Sequence, residues 1–254
     1  MLATKNDIAQ AYNVIASTAT QKGAALQRSN VCHAIFDDLK HLYPTFTGYI
    51  DALNLGLSGG LPFTFLGDIQ NKKVADLGCG AGLDVCIMQS QVGTDGSVTG
   101  YDLSNELVAY GNAIIAQHHI NNATLINADI EQIPCDANFF DAITSNGVIS
   151  LLPNKQAFFN EVYRVAQPGA VCCFADIVQS NTSNSSLNNV INELTGCMNG
   201  ICEPNEYLHY LVNSGFKHSI IVQKRPILLN ITNHNSNQKQ PLPSLHIITI
   251  RTIK

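Results

Sequence analysis

The stretch VADLGCGAGLDV, residues 74–85, sets Gly78, Gly80 and Gly82 at alternating positions just after a carboxylate, Asp76. Glycines so spaced let a ligand approach the backbone. A Gly-rich turn between a strand and a helix is the usual cradle for a pyrophosphate, because backbone N–H groups and the helix N-terminus favour negative charge. The dinucleotide pattern Gly-x-Gly-x-x-Gly, however, would need a small residue where Leu83 stands. Asp76 would also repel a pyrophosphate, whereas it could hold a ligand carrying an ammonium group. Two further acids follow. Asp102 in GYDLS comes 26 positions after Asp76, placed to accept both ribose hydroxyls, and Asp129 in NADIEQIP is placed to accept from an adenine amino group. S-adenosylmethionine carries an ammonium, a ribose and an adenine, and no phosphate.

These acids need strands that end side by side. Apolar runs at 73–78, 97–102, 123–128, 139–146 and 170–178 read as strands, with helical patterns between them. In LPNKQAFFNEVYRVAQPG, Phe158, Val162 and Val165 recur at helical spacing, and Pro168-Gly169 is expected to stop the helix. Strand and helix alternate, which implies a mostly parallel sheet with right-handed crossovers, helices on both faces and a ligand at the carboxyl ends of the strands. Two stretches rich in Asn and Ser, 179–189 and 230–244, read as surface excursions, the first also as a possible mobile lid.

Composition narrows the class. The chain has 254 residues, 45% hydrophobic and 13% charged, enough for one α/β domain or a domain with an appendage. Fourteen basic against nineteen acidic residues, a net charge of −5, and no Lys/Arg cluster argue against nucleic acid or an anionic membrane as partner. With neither a signal-like N-terminus nor an apolar run of membrane-spanning length, the expectation is a cytoplasmic protein whose eight cysteines are reduced thiols. Nothing in the sequence fixes an oligomeric state.

Residues 73–178 resemble the class I S-adenosylmethionine-dependent methyltransferases: DLGCGAG matches the first motif, YDLS the ribose motif, ADIEQIP the adenine motif, and FDAITSNGVISLLPNKQAFFNEVYRVAQPGA the stretch after strand four. The resemblance implies a Rossmann-like, seven-stranded, mostly parallel sheet with helices on both faces. It divides the chain into an N-terminal helical cap (1–70), a cofactor-binding core (71–178), and a substrate-side segment with C-terminal strands that complete the sheet (179–254). S-adenosyl-L-methionine would be the cofactor and S-adenosyl-L-homocysteine its product. Asp76, Gly78, Cys79, Gly80, Gly82 and Asp84 would lie at the methionine half, Asp102 and Leu103 at the ribose and adenine, Asp129 and Ile130 at the adenine edge, and Asn146 and Gly147 at the methionyl end. Tyr12 resembles a tyrosine of the N-terminal helix that closes over the cofactor.

Within this family the chain is most similar to the arsenite methyltransferase branch, near the ubiquinone and menaquinone biosynthesis methyltransferases. The similarity runs through LGLSGGLPFTFLGDIQNKKVADLGCGAGLDV, SNGVISLLPNKQ, LTGCMNGICEPNEYLHYLVNSGF and ITIRTIK. Arsenite is thiophilic, so its site wants two or three converging thiolates. Ser58 stands where the branch commonly has one cysteine, and the last strand, HIITIRTIK, has none. Cys197 and Cys202 in GCMNGICEP are left as candidates for a soft-ion pincer or as ordinary buried cysteines. Cys172 and Cys173 read as core, Cys32 and Cys135 have no evident partner, and His118, His119 and His209 read as surface, with no metal-site spacing. The turn SNGV lacks the signature of nucleic-acid amino-methyltransferases. A small-molecule acceptor is therefore expected, with two alternatives: arsenite held by Cys197 and Cys202, or a cofactor-binding homologue without turnover.

Overall fold

The computed structural model describes residues 4–20, 39–180, 200–233 and 236–254. One seven-stranded sheet carries the fold, in the order β3-β2-β1-β4-β5-β7-β6. Strands β1 (Lys73–Leu77), β2 (Ser97–Asp102), β3 (Ala123–Asn127), β4 (Phe140–Asn146) and β5 (Ala166–Gln179) run parallel, while β7 (Ser236–Ile253) is antiparallel to both β5 and β6 (Lys217–Asn233). In β1 every residue after Lys73 is buried, as expected of a central parallel strand covered on both faces.

Side chains alternate between two apolar layers. Val74, Val98, Ala142 and Cys173 pack on one face against α2 (Leu83–Val92), α3 (Asn105–Gln117) and the segment from Leu39 to Ile69. Ala75, Leu77, Ile143 and Cys172 face the other way, against α4 (Lys155–Val165) and α5 (Pro204–Asn213). The segment 43–66 lies so close on α2 that a Cβ at Gly48 would meet the Cys86 carbonyl, and Ser90 Oγ donates to Thr47 O at 2.9 Å. The N-terminal helix α1 (Lys5–Thr20) packs on α3. The order of strand addition reverses between β1 and β4, parallel neighbours whose connections run to opposite sides, and this leaves a crevice at their carboxyl ends.

Two expectations are corrected. Helix α4 ends at Val165, three residues before Pro168. The N–H groups of Asn138 and Phe139 take the carbonyls of Arg164 and Val165 (2.8 Å each), so the chain passes directly from helix into β5, and Pro168-Gly169 lies inside that strand. The polar stretch 230–244 is not a loop excursion either. Beyond the last β5–β7 pair, Gln179↔Leu245, β6 and β7 continue as a two-stranded arm paired from Leu228↔Pro241 to Asn233↔Ser236. Backbone pairing makes no demand on side-chain polarity, so composition alone concealed the ladder. Of the stretch 179–189, only Gln179 and Ser180 are described; the remainder of that proposed lid lies outside the described residues. No helix among the described residues is long and apolar enough to cross a membrane.

Candidate functional site

The glycine loop leaves β1 at Leu77. The N–H groups of Gly78 and Cys79 both donate to Tyr101 O, at 2.8 and 3.0 Å, which ties the loop to the end of β2. Gly80 has φ +55°, a conformation that side chains rarely adopt, and a Cβ there would meet nothing within 4 Å. Its N–H donates to Asp102 Oδ2 at 2.8 Å. Gly82 differs in role: with φ +87° it starts α2, and its Cβ would strike the Leu125 side chain at 2.9 Å. It serves close packing behind the loop and is not part of the cavity wall.

Beneath the loop lie two buried carboxylates. Asp76 is 2% exposed and Asp84, in the first turn of α2, 6%. Thr144 Oγ1 donates to Asp76 Oδ1 at 2.9 Å, and Asn146 Nδ2 donates to Asp84 Oδ2 at 2.9 Å. Asp84 Oδ1 is buried without a hydrogen-bond partner. Burial pushes the Asp76 carboxyl well above its ordinary range, the Asp84 charge adds to that, and the Thr144 hydrogen bond opposes it. Burial likewise raises Asp84 to about 6, against hydrogen bonds from Asn146 and Tyr43. Two acids thus share one low-dielectric pocket, and among the described residues no cationic side chain contributes to either shift.

Asn146, at the end of β4, joins this pocket to the segment before β1. Its Oδ1 accepts from Gly59 N and Gly60 N (3.0 and 2.8 Å), and its Nδ2 also donates to Gly60 O at 2.9 Å. Tyr43, fully buried, donates to Gly60 O at 3.2 Å, and Asn146 Nδ2 donates to the Tyr43 hydroxyl at 3.5 Å.

At the other end, Asp102 accepts from Gly80 N through one oxygen and from Ser104 N (2.9 Å) through the other, so it braces the loop as well as facing the cavity. Burial raises its pKa, and the N–H groups of Ser104 and Gly80 oppose the rise. Asp129 has one oxygen on Glu131 N at 2.9 Å and the other on Lys5 Nζ at 2.6 Å. Lys5 also reaches Glu131 Oε2 at 2.8 Å, and Asn13 Oδ1 accepts from Ser104 Oγ at 2.6 Å. Helix α1 is therefore pinned over the ends of β2 and β3.

One cavity of about 1010 Å³, counted to its open mouth, unites these groups. Asp76, Gly78, Cys79, Gly80, Asp84, Asp102, Leu103, Asp129, Ile130, Asn146, Gly147 and Tyr12 all line it, and Gly82 does not. Sequence reasoning missed Lys5 and Ile8, although Lys5, Ile8 and Tyr12 share one helical stripe, and it missed Leu53, Leu55, Leu57, Leu151 and Leu152 in the wall. Tyr43, another omission, carried no motif.

Among the described residues the cysteines form no converging thiolate cluster. Cys79 lines the cavity, but burial first, and then the Asp102 and Asp76 charges, raise its pKa well above that of a free thiol. Cys202 is half-buried outside the wall, its thiol on Gly200 O at 3.4 Å and its pKa raised by burial against the Lys155 charge. Cys197 and Cys32 lie outside the described residues. Among the described residues no three Cys, His, Asp or Glu side chains converge as a metal site would require. His118, His119 and His209 are exposed.

A strand order reversing at β1/β4, with a glycine loop and acids at the carboxyl ends, defines the Rossmann-like architecture of class I methyltransferases. Residues 69–215 match the methyltransferase domain family, and the chain belongs to it. An arsenite methyltransferase of Halobacterium salinarum is 30% identical over 167 residues, covering 66% of this chain and 43% of that protein. A demethylmenaquinone methyltransferase of Listeria monocytogenes is 29% identical over 112 residues, 44% of this chain and 47% of that protein. The chain thus spans less than half the length of these curated relatives. The crystal structure of an arsenic (III) S-adenosylmethionine methyltransferase from Chlamydomonas reinhardtii shares the fold, with a TM-score of 0.65, 23% identity, and coverage of 88% of this chain and 73% of that one.

Proposed function

We propose that this chain binds S-adenosylmethionine in the cavity at the strand ends and catalyses methyl transfer to a small molecule. The observation that carries the reading is the charge of the wall: Asp76, Asp84, Asp102 and Asp129 line one cavity in which Lys5 is the only basic residue among those described. Such a wall disfavours a pyrophosphate and suits a ligand with an ammonium and a sulfonium. The orphaned Asp84 oxygen and the open space over Gly80 fit that ligand as well. When bound, S-adenosylmethionine supplies an electrophilic methyl on a positively charged sulfur.

The residues divide the work. Asp76 and Asp84 hold the ammonium, the Gly78–Gly80 backbone admits the methionine half, and Asp102 accepts from the ribose with the lone pairs its backbone donors leave. Asp129 and Ile130 flank the adenine, and Leu103 and Tyr12 cover it. Asn146 keeps segment 58–60 against the methionyl end, so that acceptor and methyl meet in a fixed alignment with water excluded. Ser58 in the wall, in place of a cysteine, favours an acceptor other than arsenite.

The test is calorimetric titration with S-adenosylmethionine and S-adenosylhomocysteine, alongside a pyrophosphate dinucleotide, followed by release of S-adenosylhomocysteine with candidate acceptors. Binding of the first two and not of the dinucleotide is expected. Preference for the dinucleotide would overturn the cofactor reading, and cofactor binding without turnover on any acceptor would leave a binding role in place of an enzymatic one.

A further inference from the structure

We infer that Lys5 reads the base of the cofactor, its ammonium donating to a ring nitrogen of adenine beside the amino group that Asp129 accepts; the inference rests on the proposed S-adenosylmethionine site. Lys5 lines the cavity and is the one basic side chain among the described residues that does. Helix α1 sets it there through two attachments about two helical turns apart. Lys5 holds to the acids that follow β3, and Asn13 Oδ1 accepts from Ser104 Oγ, after β2, at 2.6 Å. Ile8 and Tyr12 line the cavity between them.

The ammonium has three hydrogens. Two go to Asp129 Oδ2 at 2.6 Å and Glu131 Oε2 at 2.8 Å, and the third remains for a ligand. Glu131 serves as the anchor: its side chain is only 10% exposed, its Oε2 takes Lys5, and its Oε1 is buried with no partner. Asp129 has a different part. Its Oδ1 takes Glu131 N at 2.9 Å and its Oδ2 takes Lys5, and each oxygen keeps a second lone pair. An acceptor and a donor thus stand side by side at the end of the cavity that Leu103 and Ile130 also line. Adenine carries an amino donor flanked by ring nitrogens that accept, N1 on one side and N7 on the other. It meets the pair in matching order, amino group to Asp129 and ring nitrogen to Lys5. Hypoxanthine has a carbonyl in place of the amino group, which sets two acceptors against each other at Asp129. Because the two acids already hold the ammonium, the donor is in place before the ligand arrives.

The experiment titrates the full chain by calorimetry with S-adenosylhomocysteine, its 1-deaza and 7-deaza analogues, in which one ring nitrogen becomes C–H, and S-inosylhomocysteine. On the parent, one of the two deaza analogues should bind roughly 2- to 30-fold more weakly than S-adenosylhomocysteine, less than the full worth of a charged donor because the Lys5 side chain is 35% exposed. S-inosylhomocysteine should also bind more weakly. In Lys5→Met the deaza penalty should vanish while the inosine penalty remains, a separation that loosened packing of α1 alone would not produce. Lys5→Ala gives the same comparison where Lys5→Met does not fold. Both deaza analogues binding as tightly as S-adenosylhomocysteine, a deaza penalty that survives in the variants, or S-inosylhomocysteine binding as well as S-adenosylhomocysteine would each overturn the inference. Failure of the S-adenosylhomocysteine titration itself would strike the cofactor reading instead.

Discussion

Replacing Asp84 by Asn tests the buried acid pair directly. In the free protein the carboxyl is raised from an ordinary 3.8 to about 6, chiefly by burial. A shift of that size, at about 1.4 kcal/mol per unit, means that keeping Asp84 ionised at neutral pH costs the fold about 3 kcal/mol. The cost is fully present above the folded pKa, shrinks as pH falls through it, and is gone below the unfolded value. Asp84→Asn should therefore stabilise the ligand-free protein at about pH 8 by up to about 3 kcal/mol, and the difference from the parent should close between pH 6 and pH 4. Relief of Asp76, whose pKa the Asp84 charge also raises, acts in the same direction. Cofactor affinity should move the opposite way. An ammonium ligand favours the ionised pair, so the parent's affinity for S-adenosylhomocysteine should rise with pH through about 6, and the variant should bind more weakly at pH 8 with a flatter pH profile. Denaturant unfolding across pH gives the first quantity and calorimetry the second. A variant less stable than the parent at pH 8, or an unchanged pH profile of affinity, would refute the argument.

Lys5→Met removes two partly exposed ion pairs, at 2.6 and 2.8 Å, each worth about 0.2–1 kcal/mol. S-adenosylhomocysteine affinity should fall roughly 2- to 30-fold at low salt and less at high salt; a titration unaffected at low salt would show that α1 does not cover the ligand. Gly80→Val places a β-branched side chain at φ +55° into the open space of the cavity, so cofactor-induced thermal stabilisation should disappear while the cooperative unfolding of the free protein persists. Gly111→Ala would press a methyl against the Ala81 carbonyl and Leu125, forcing α3 off the glycine loop at about 1–3 kcal/mol; an unchanged denaturant midpoint would disprove that close approach.

Strand β1 was legible because a central parallel strand is buried on both faces and reads as a short apolar run, whereas β3, at the sheet edge with one buried residue, was found from its place in the strand–helix alternation. The acids were legible because each closes such a run. Helix ends and the β6–β7 arm were not: the helix gives way to the strand where Arg164 and Val165 accept from N–H donors about 26 residues earlier in sequence, Asn138 and Phe139, and the arm is held by backbone pairing that Asn and Ser composition disguises. Spacing also could not separate Gly82, which lies against Leu125, from Gly80, which faces open space, since both belong to one motif. Lys5 and Tyr43 escaped notice because their partners, Asp129 and Gly60, come from distant parts of the chain.

The strand order has a consequence for how the chain assembles during synthesis. β6 is made before β7 yet, among the described residues, occupies the sheet edge and pairs with β7 alone, which also covers the flank of β5. Until β7 emerges from the ribosome, β5 has an open edge and β6 has nothing to pair with. The acids and the glycine loop, all supplied before residue 147, can gather while that flank is unfinished. A nascent chain halted before residue 236 would therefore expose the β5 edge to other chains, a template for intermolecular pairing, and insertion of β7 is the step that covers that edge.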